Sequence, residues 1–134
     1  MDQLKPFLYK LDETGKPVAC TDSIEWALWF AQNDEARVVA NTELPSGTRV
    51  STVFIGIDAS LGEEPTLWET MTFGGDYDLV CARYRSREDA IVGHEMWVLV
   101  AKGEMTPIDA RRLRADLTTP KVGGSARKKE SKLS

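Results

Sequence analysis

The sequence is poor in the residues that metal and redox chemistry draw on, with one histidine and two cysteines among 134 residues. Cys20 and Cys81 belong to neither a C-x-x-C pair nor a Cys/His cluster. A zinc site would need added carboxylates, and no metal or other cofactor is expected. No run of about 18 apolar residues exists to cross a bilayer. The first residues, Met1-Asp2-Gln3-Leu4-Lys5-Pro6, lack the basic segment and apolar core of an export signal. That points to the cytoplasm, where both thiols are expected to be reduced, buried and inert.

An excess of positive charge is also missing. There are 17 Lys+Arg against 21 Asp+Glu, for a formal charge of −4. Residues 121–134 hold five of the cations (Lys121, Arg127, Lys128, Lys129, Lys132) and one acid, Glu130, which leaves 12 cations and 20 acids for the first 120 residues. An acidic body of this kind argues against a nucleic-acid-binding domain, because phosphate contacts need clustered Lys and Arg. Only the basic tail is suited to such contact.

What is present is ordinary globular composition, 42% hydrophobic and 28% charged. The length fits one domain, assigned to residues 1–118, with residues 119–134 as a disordered basic tail. Residues 7–11 and 18–20 read as short strands around a Gly/Pro turn. Asp22, followed by Glu25, has the spacing of a reciprocal helix cap, and the helix it opens runs to about Asn33 with Ile24, Ala27, Leu28 and Ala31 as its inward face. Trp26 and Trp29 cannot both face inward on such a helix, so one of them marks a contact surface.

Segments 37–43 and 49–57 are rich in β-branched residues and are expected to pair antiparallel across a short loop. Strands follow at 66–73 and 79–84, joined by the turn Gly74-Gly75-Asp76-Tyr77-Asp78. Ser86 caps a second helix that ends near Lys102 and Gly103, and Thr106-Pro107 opens a short third one. The order predicts an α+β fold: an antiparallel sheet of four to five strands with two helices packed on one face, a two-layer sandwich.

The chemistry-bearing candidates are few. Alternation along 66–73 puts Leu67, Glu69, Met71 and Phe73 on one face, so Glu69 sits among large apolar side chains. His94 shares the apolar stripe of the second helix with Ala90, Trp97 and Ala101. If that stripe covers the Glu69 face, the two form a Glu–His pair that could serve as acid and base. Asp58 ends the long strand at the mouth of a polar loop, a place where scaffolded function collects. Arg83, Arg85 and Arg87 lead into the second helix, where an anion could bind. Ser51 lies mid-strand with no G-x-S-x-G elbow, and Gly74-Gly75 lacks every phosphate-loop pattern, which excludes a serine hydrolase triad and a nucleotide P-loop.

The middle of the chain carries a set of motifs: Ser51-Thr52-Val53-Phe54, Gly56 and Asp58; Glu69-Thr70-Met71 with Phe73-Gly74; Arg83-Tyr84; and Ala90 with Gly93-His94. Over roughly residues 37–100 it resembles a family of small proteins of tailed bacteriophages and prophages. A histidine often follows the aspartate of the first motif in that family, and here the position is Ala59. The resemblance implies an accessory protein acting in the infected host's cytoplasm and brings no activity with it. The leading expectation is a non-catalytic binding module for a host factor or a small anionic, nucleotide-like signal, with counter-defence as one setting for it, using Asp58, Glu69, Arg83, Tyr84 and His94. The alternatives are a small hydrolase or phosphodiesterase built on His94, Glu69 and Asp58, and a virion or assembly component whose tail orders on a partner.

Overall fold

A computed structural model describes residues 7–58, 60 and 64–118, and among these it is silent on the side chains of residues 115–118. The tail assigned to residues 119–134 lies outside the described residues. The fold is α+β, as expected: a four-stranded antiparallel sheet, a two-stranded hairpin and helices.

The hairpin comes first, β1 (Tyr9–Leu11) against β2 (Pro17–Ala19). Then follow α1 (Ser23–Gln32), a four-residue helix α2 (Asp34–Arg37), and the meander β3 (Val38–Glu43), β4 (Arg49–Phe54), β5 (Trp68–Phe73) and β6 (Cys81–Tyr84). The chain closes with α3 (Arg87–Ala101) and α4 (Pro107–Thr118). The sheet order is β3-β4-β5-β6, every neighbour antiparallel, with a register shift between Val38 and Ala40. The long strand expected over 49–57 stops at Phe54. Beyond it the chain leaves the sheet through Gly56 and pairs with the hairpin: Tyr9 N donates to Gly56 O at 2.8 Å, and Leu8 bridges Ile57. Any Cβ at Gly56 would lie 2.4 Å from the Tyr9 carbonyl oxygen, and its φ of +68° suits glycine.

The helix caps follow the sequence pattern. Asp22 accepts from the N–H groups of Ile24 (2.9 Å) and Glu25 (3.1 Å), and Ser86 accepts from Asp89 N at 3.0 Å. Glu25 does not close the reciprocal cap; it bonds Lys10 Nζ across to the hairpin at 2.5 Å. Asp22→Ala is therefore expected to cost about 1 kcal/mol, read as a lower urea midpoint with an unchanged slope.

Two sequence expectations are reversed by packing. On α1 the supposed inward face is the outer one: Ile24 is 71% and Leu28 56% exposed, and no residue of the helix is fully buried. Trp26, Trp29 and Phe30 turn to the body instead, because aromatic rings have more apolar area to bury than Ile, Leu and Ala. Trp26 Nε1 donates to Tyr9 O at 2.8 Å, and the Trp29 ring meets Phe54 edge-on, 6.1 Å between centroids. On β5 the covered face is Trp68, Thr70 and Thr72, while Glu69, Met71 and Phe73 lie half-buried on the other face.

The covered face of the sheet lies under α3, with α4 packed on α3 and the hairpin and α1 closing one end. One apolar cluster gathers Val50, Met96, Trp97, Val100 and Ala110; the other gathers Phe54, Leu67, Trp68, Tyr84 and Ala90. Between them on β4, β5 and α3 stand Thr52, Thr70 and His94, all at most 1% exposed. None of the described helices is long and apolar enough to cross a membrane.

Candidate functional site

His94 faces inward as expected, but its partners are hydroxyls. Nε2 lies 2.8 Å from Thr42 Oγ1 on β3, and Nδ1 lies 2.7 Å from Thr52 Oγ1 on β4. Thr52 Oγ1 continues to Thr70 Oγ1 on β5 (2.5 Å), which accepts from Tyr84 Oη on β6 (3.0 Å). One file of five side chains therefore crosses all four strands under a single turn of α3. The protons can run one way along it. Tyr84 donates to Thr70, Thr70 to Thr52 and Thr52 to Nδ1, and Nε2–H donates to Thr42. Each hydroxyl of the three inner links then donates once, which selects a neutral imidazole with its proton on Nε2. Burial pushes the His94 pKa below 6.5, with the neighbouring Glu95 carboxylate opposing in smaller measure. Burial, the largest cause, also raises the Tyr84 pKa.

The Glu69–His94 pair does not form. Glu69 stands on the opposite face of β5, where the register sets it across from Arg83 and Val53. The physical reason is that a threonine whose hydroxyl is bonded packs much like valine, so Thr70 and Thr72 fill the covered face, with Thr72 Oγ1 donating to the Tyr77 carbonyl. Cys81 also differs from expectation. It is exposed rather than buried, because its register partner Met71 lies on the open face. Partial desolvation of the thiol by its neighbours and then the Glu69 carboxylate push its pKa up, which keeps the thiolate scarce.

The five sequence candidates thus fall in three places. Tyr84 and His94 belong to the sealed file. Glu69 and Arg83 lie on the open face, with Arg83 donating to the carbonyls of Ile57 and Thr66. Asp58 accepts from Ser60 N (2.9 Å) and Ser60 Oγ (2.6 Å) in the loop beyond. Among the described residues, no group of three or more His, Cys, Asp or Glu comes together in a metal-binding cluster.

Two clefts of similar size flank α3. One, about 570 Å³, lies by the 74–77 turn and the start of α4, with Asp76, Glu104 and Asp109 around Lys102. The other, about 590 Å³, lies at the opposite end and is lined by Lys16, Arg37, Arg85 and Arg87 with one acid, Glu88. Arg85 and Arg87 were legible as loop arginines ahead of a helix. Lys16 and Arg37 come from remote segments, and no local pattern marks them. Compared with known proteins, the chain matches no family model, and no curated protein or solved structure matches it significantly.

Proposed function

We propose that the chain is a non-catalytic binding module, a phage-type accessory protein that acts by occupying a host protein. The observation that carries this reading is the outer face of α1. Ile24 and Leu28, with Ala27 and Ala31 beside them, form an apolar stripe at i, i+3, i+4, i+7 spacing on a helix whose other face already holds the body. Water-facing stripes of this kind mark interaction sites. The histidine supports the same reading from the other side: at 1% exposure and bonded through both nitrogens, it has no free lone pair to offer a substrate.

The test uses the double variant Ile24→Asp/Leu28→Asp. Neither side chain is buried, so the melting temperature is expected to stay within about 2 °C of wild type. Immobilised wild-type protein should retain a defined protein from host bacterial extract that the variant releases. Identical retained sets, or none for either, would overturn the proposal. Turnover of any extracted small molecule by the wild type, abolished in His94→Gln at equal folded fraction, would overturn its non-catalytic part.

A further inference from the structure

We propose that the outer stripe of α1 is also a self-association surface, through which two copies of this chain pair antiparallel about a twofold axis passing between Ala27 and Leu28. The inference rests on reading that stripe as an interaction surface. It names a second occupant, which competes with a host protein for the same residues and so sets how much of the stripe is open.

The pattern of sizes is the first argument. Along the helix the stripe runs Ile24, Ala27, Leu28, Ala31: large, small, large, small. All four are exposed, Ile24 at 71% and Leu28 at 56%. Turned end over end, this order becomes its own complement. Ile24 lies opposite Ala31 of the second copy, and Leu28 opposite its Ala27. Every large side chain then meets a small one, ridge against groove, and the helix axes can approach to about 8 Å. The twofold makes each contact twice. A parallel pair would set Ile24 on Ile24 and Ala27 on Ala27, which holds the helices apart at one level and leaves a void at the next. It would also align the two helix dipoles, which an antiparallel pair opposes.

Charge is the second argument. Contact between copies fails where unpaired like charges meet. Residues 22–36 carry four acids and no Lys or Arg, yet none of the four meets an unpaired acid across the axis. Asp22 is spent on the helix cap, accepting from Ile24 N and Glu25 N. Glu25, on the flank of the stripe, is held by Lys10 at 2.5 Å, and it comes nearest to the neutral Gln32 of the second copy. Asp34 is tied to Arg37 at 2.7 Å, and Glu35 lies past the end of α1, on α2.

Mounting is the third argument. Trp26 Nε1 donates to Tyr9 O at 2.8 Å and the Trp29 ring meets Phe54, so the inward face fixes the helix on the body. The stripe is set in place before a second copy arrives, which lowers the ordering cost of pairing. The ten residues of α1 span about 15 Å. The contact therefore falls below the roughly 1,200 Å² of a standard interface, and the pair is weak and reversible, with a Kd of about 0.1 mM.

The test is sedimentation equilibrium of the full chain, with reductant, from about 10 µM to about 1 mM, a range that brackets the expected Kd. The average mass is expected to rise from monomer toward dimer and no further. Ile24→Ala, which leaves a void, and Ala31→Ile, which sets large against large, are each expected to weaken pairing roughly tenfold. The swap Ile24→Ala/Ala31→Ile restores large against small and should return to within about threefold of wild type. All these positions are exposed, and circular dichroism melts check that folding is unaffected. Unspecific stickiness predicts the reverse for Ala31→Ile, which adds apolar surface; stronger pairing in that variant would overturn the proposal. A monomer at every concentration, species larger than a dimer, or a swap no better than its parents would also overturn it. A persistent monomer whose stripe still retains a host protein sinks this inference alone, and a dimer that retains none sinks only the host-protein reading.

Discussion

Gly93→Ala is expected to lower the melting temperature by about 10 °C or more, through a loss of roughly 3 kcal/mol in a domain of this length. Gly93 sits mid-helix in α3, where alanine would ordinarily stabilise by about 1 kcal/mol. Here a Cβ would lie 2.3 Å from both Cε1 and Oη of Tyr84 and 2.4 Å from Cζ. Tyr84 has nowhere to go. It is 1% exposed, its hydroxyl donates to Thr70, and the Arg114 guanidinium lies over its ring at 5.0 Å. Either α3 lifts from the sheet, opening the apolar clusters on both sides, or the ring rotates and leaves Thr70 without its donor. The first exposes Met96, Trp97 and Ala90; the second strands a buried hydroxyl, at about 1–3 kcal/mol. Tyr84→Phe is the matched control, since it keeps the ring and loses one hydrogen bond, about 1 kcal/mol. Melting curves followed by circular dichroism read both. A Gly93→Ala protein melting within 2 °C of wild type would show that α3 can slide past the ring, contrary to this packing.

The Gly93 contact also shows what was legible in the sequence and what was not. Strand order, hairpin pairing and both long helices were readable, because alternation, turn glycines and caps at Asp22 and Ser86 are local signals. Facing was harder. A hydrophobicity pattern ranks Met71 and Phe73 above Thr70 and Thr72, and it ranks Ile24 and Leu28 level with the tryptophans. It cannot see that Thr52, Thr70 and Tyr84 satisfy one another's hydroxyls, nor that three aromatic rings on α1 outweigh four aliphatic positions. Residues of the motif set, Thr52, Thr70, Tyr84, Gly93 and His94, converge in space. Only Tyr84 and His94 among them are site candidates on sequence alone. The geometry of all five is that of a polar spine between two apolar clusters, which ties α3 to every strand. The basic cleft was half-readable: Arg85 and Arg87 are sequence neighbours, while Lys16 and Arg37 join them only through the tertiary fold.

His94 carries the second large effect, and it has a pH signature. In the folded state both ring nitrogens are engaged, with the hydroxyl of Thr52 aimed at Nδ1 in the one-way ordering of donors. Protonating Nδ1 would turn it into a donor facing a donor. Thr52 and Thr70 would then have to reverse, and a charge would stand in a buried layer where the Glu95 carboxylate offsets its desolvation only in part. The folded pKa is accordingly lowered, whereas the unfolded histidine keeps its ordinary value near 6.5. The unfolded chain therefore binds the proton more readily. The contribution of His94 is complete above about pH 6.5 and is lost as the pH falls from there toward the folded pKa, with a slope of up to about 1.4 kcal/mol per pH unit. His94→Gln retains a donor and an acceptor but does not titrate. It should be less stable than wild type at pH 8, by about 2 kcal/mol for the imperfect fit, and its stability should be flatter between pH 7 and 5. The two proteins should converge as the pH drops through that window. Urea unfolding followed by tryptophan fluorescence at half-unit pH steps measures both curves. Parallel curves across the window would mean that the imidazole titrates alike folded and unfolded, and the sealed file of hydroxyls would have to be abandoned. His94→Ala should be the most severe of the set, because it leaves a cavity and removes partners from Thr42 and Thr52 together, at about 3–5 kcal/mol.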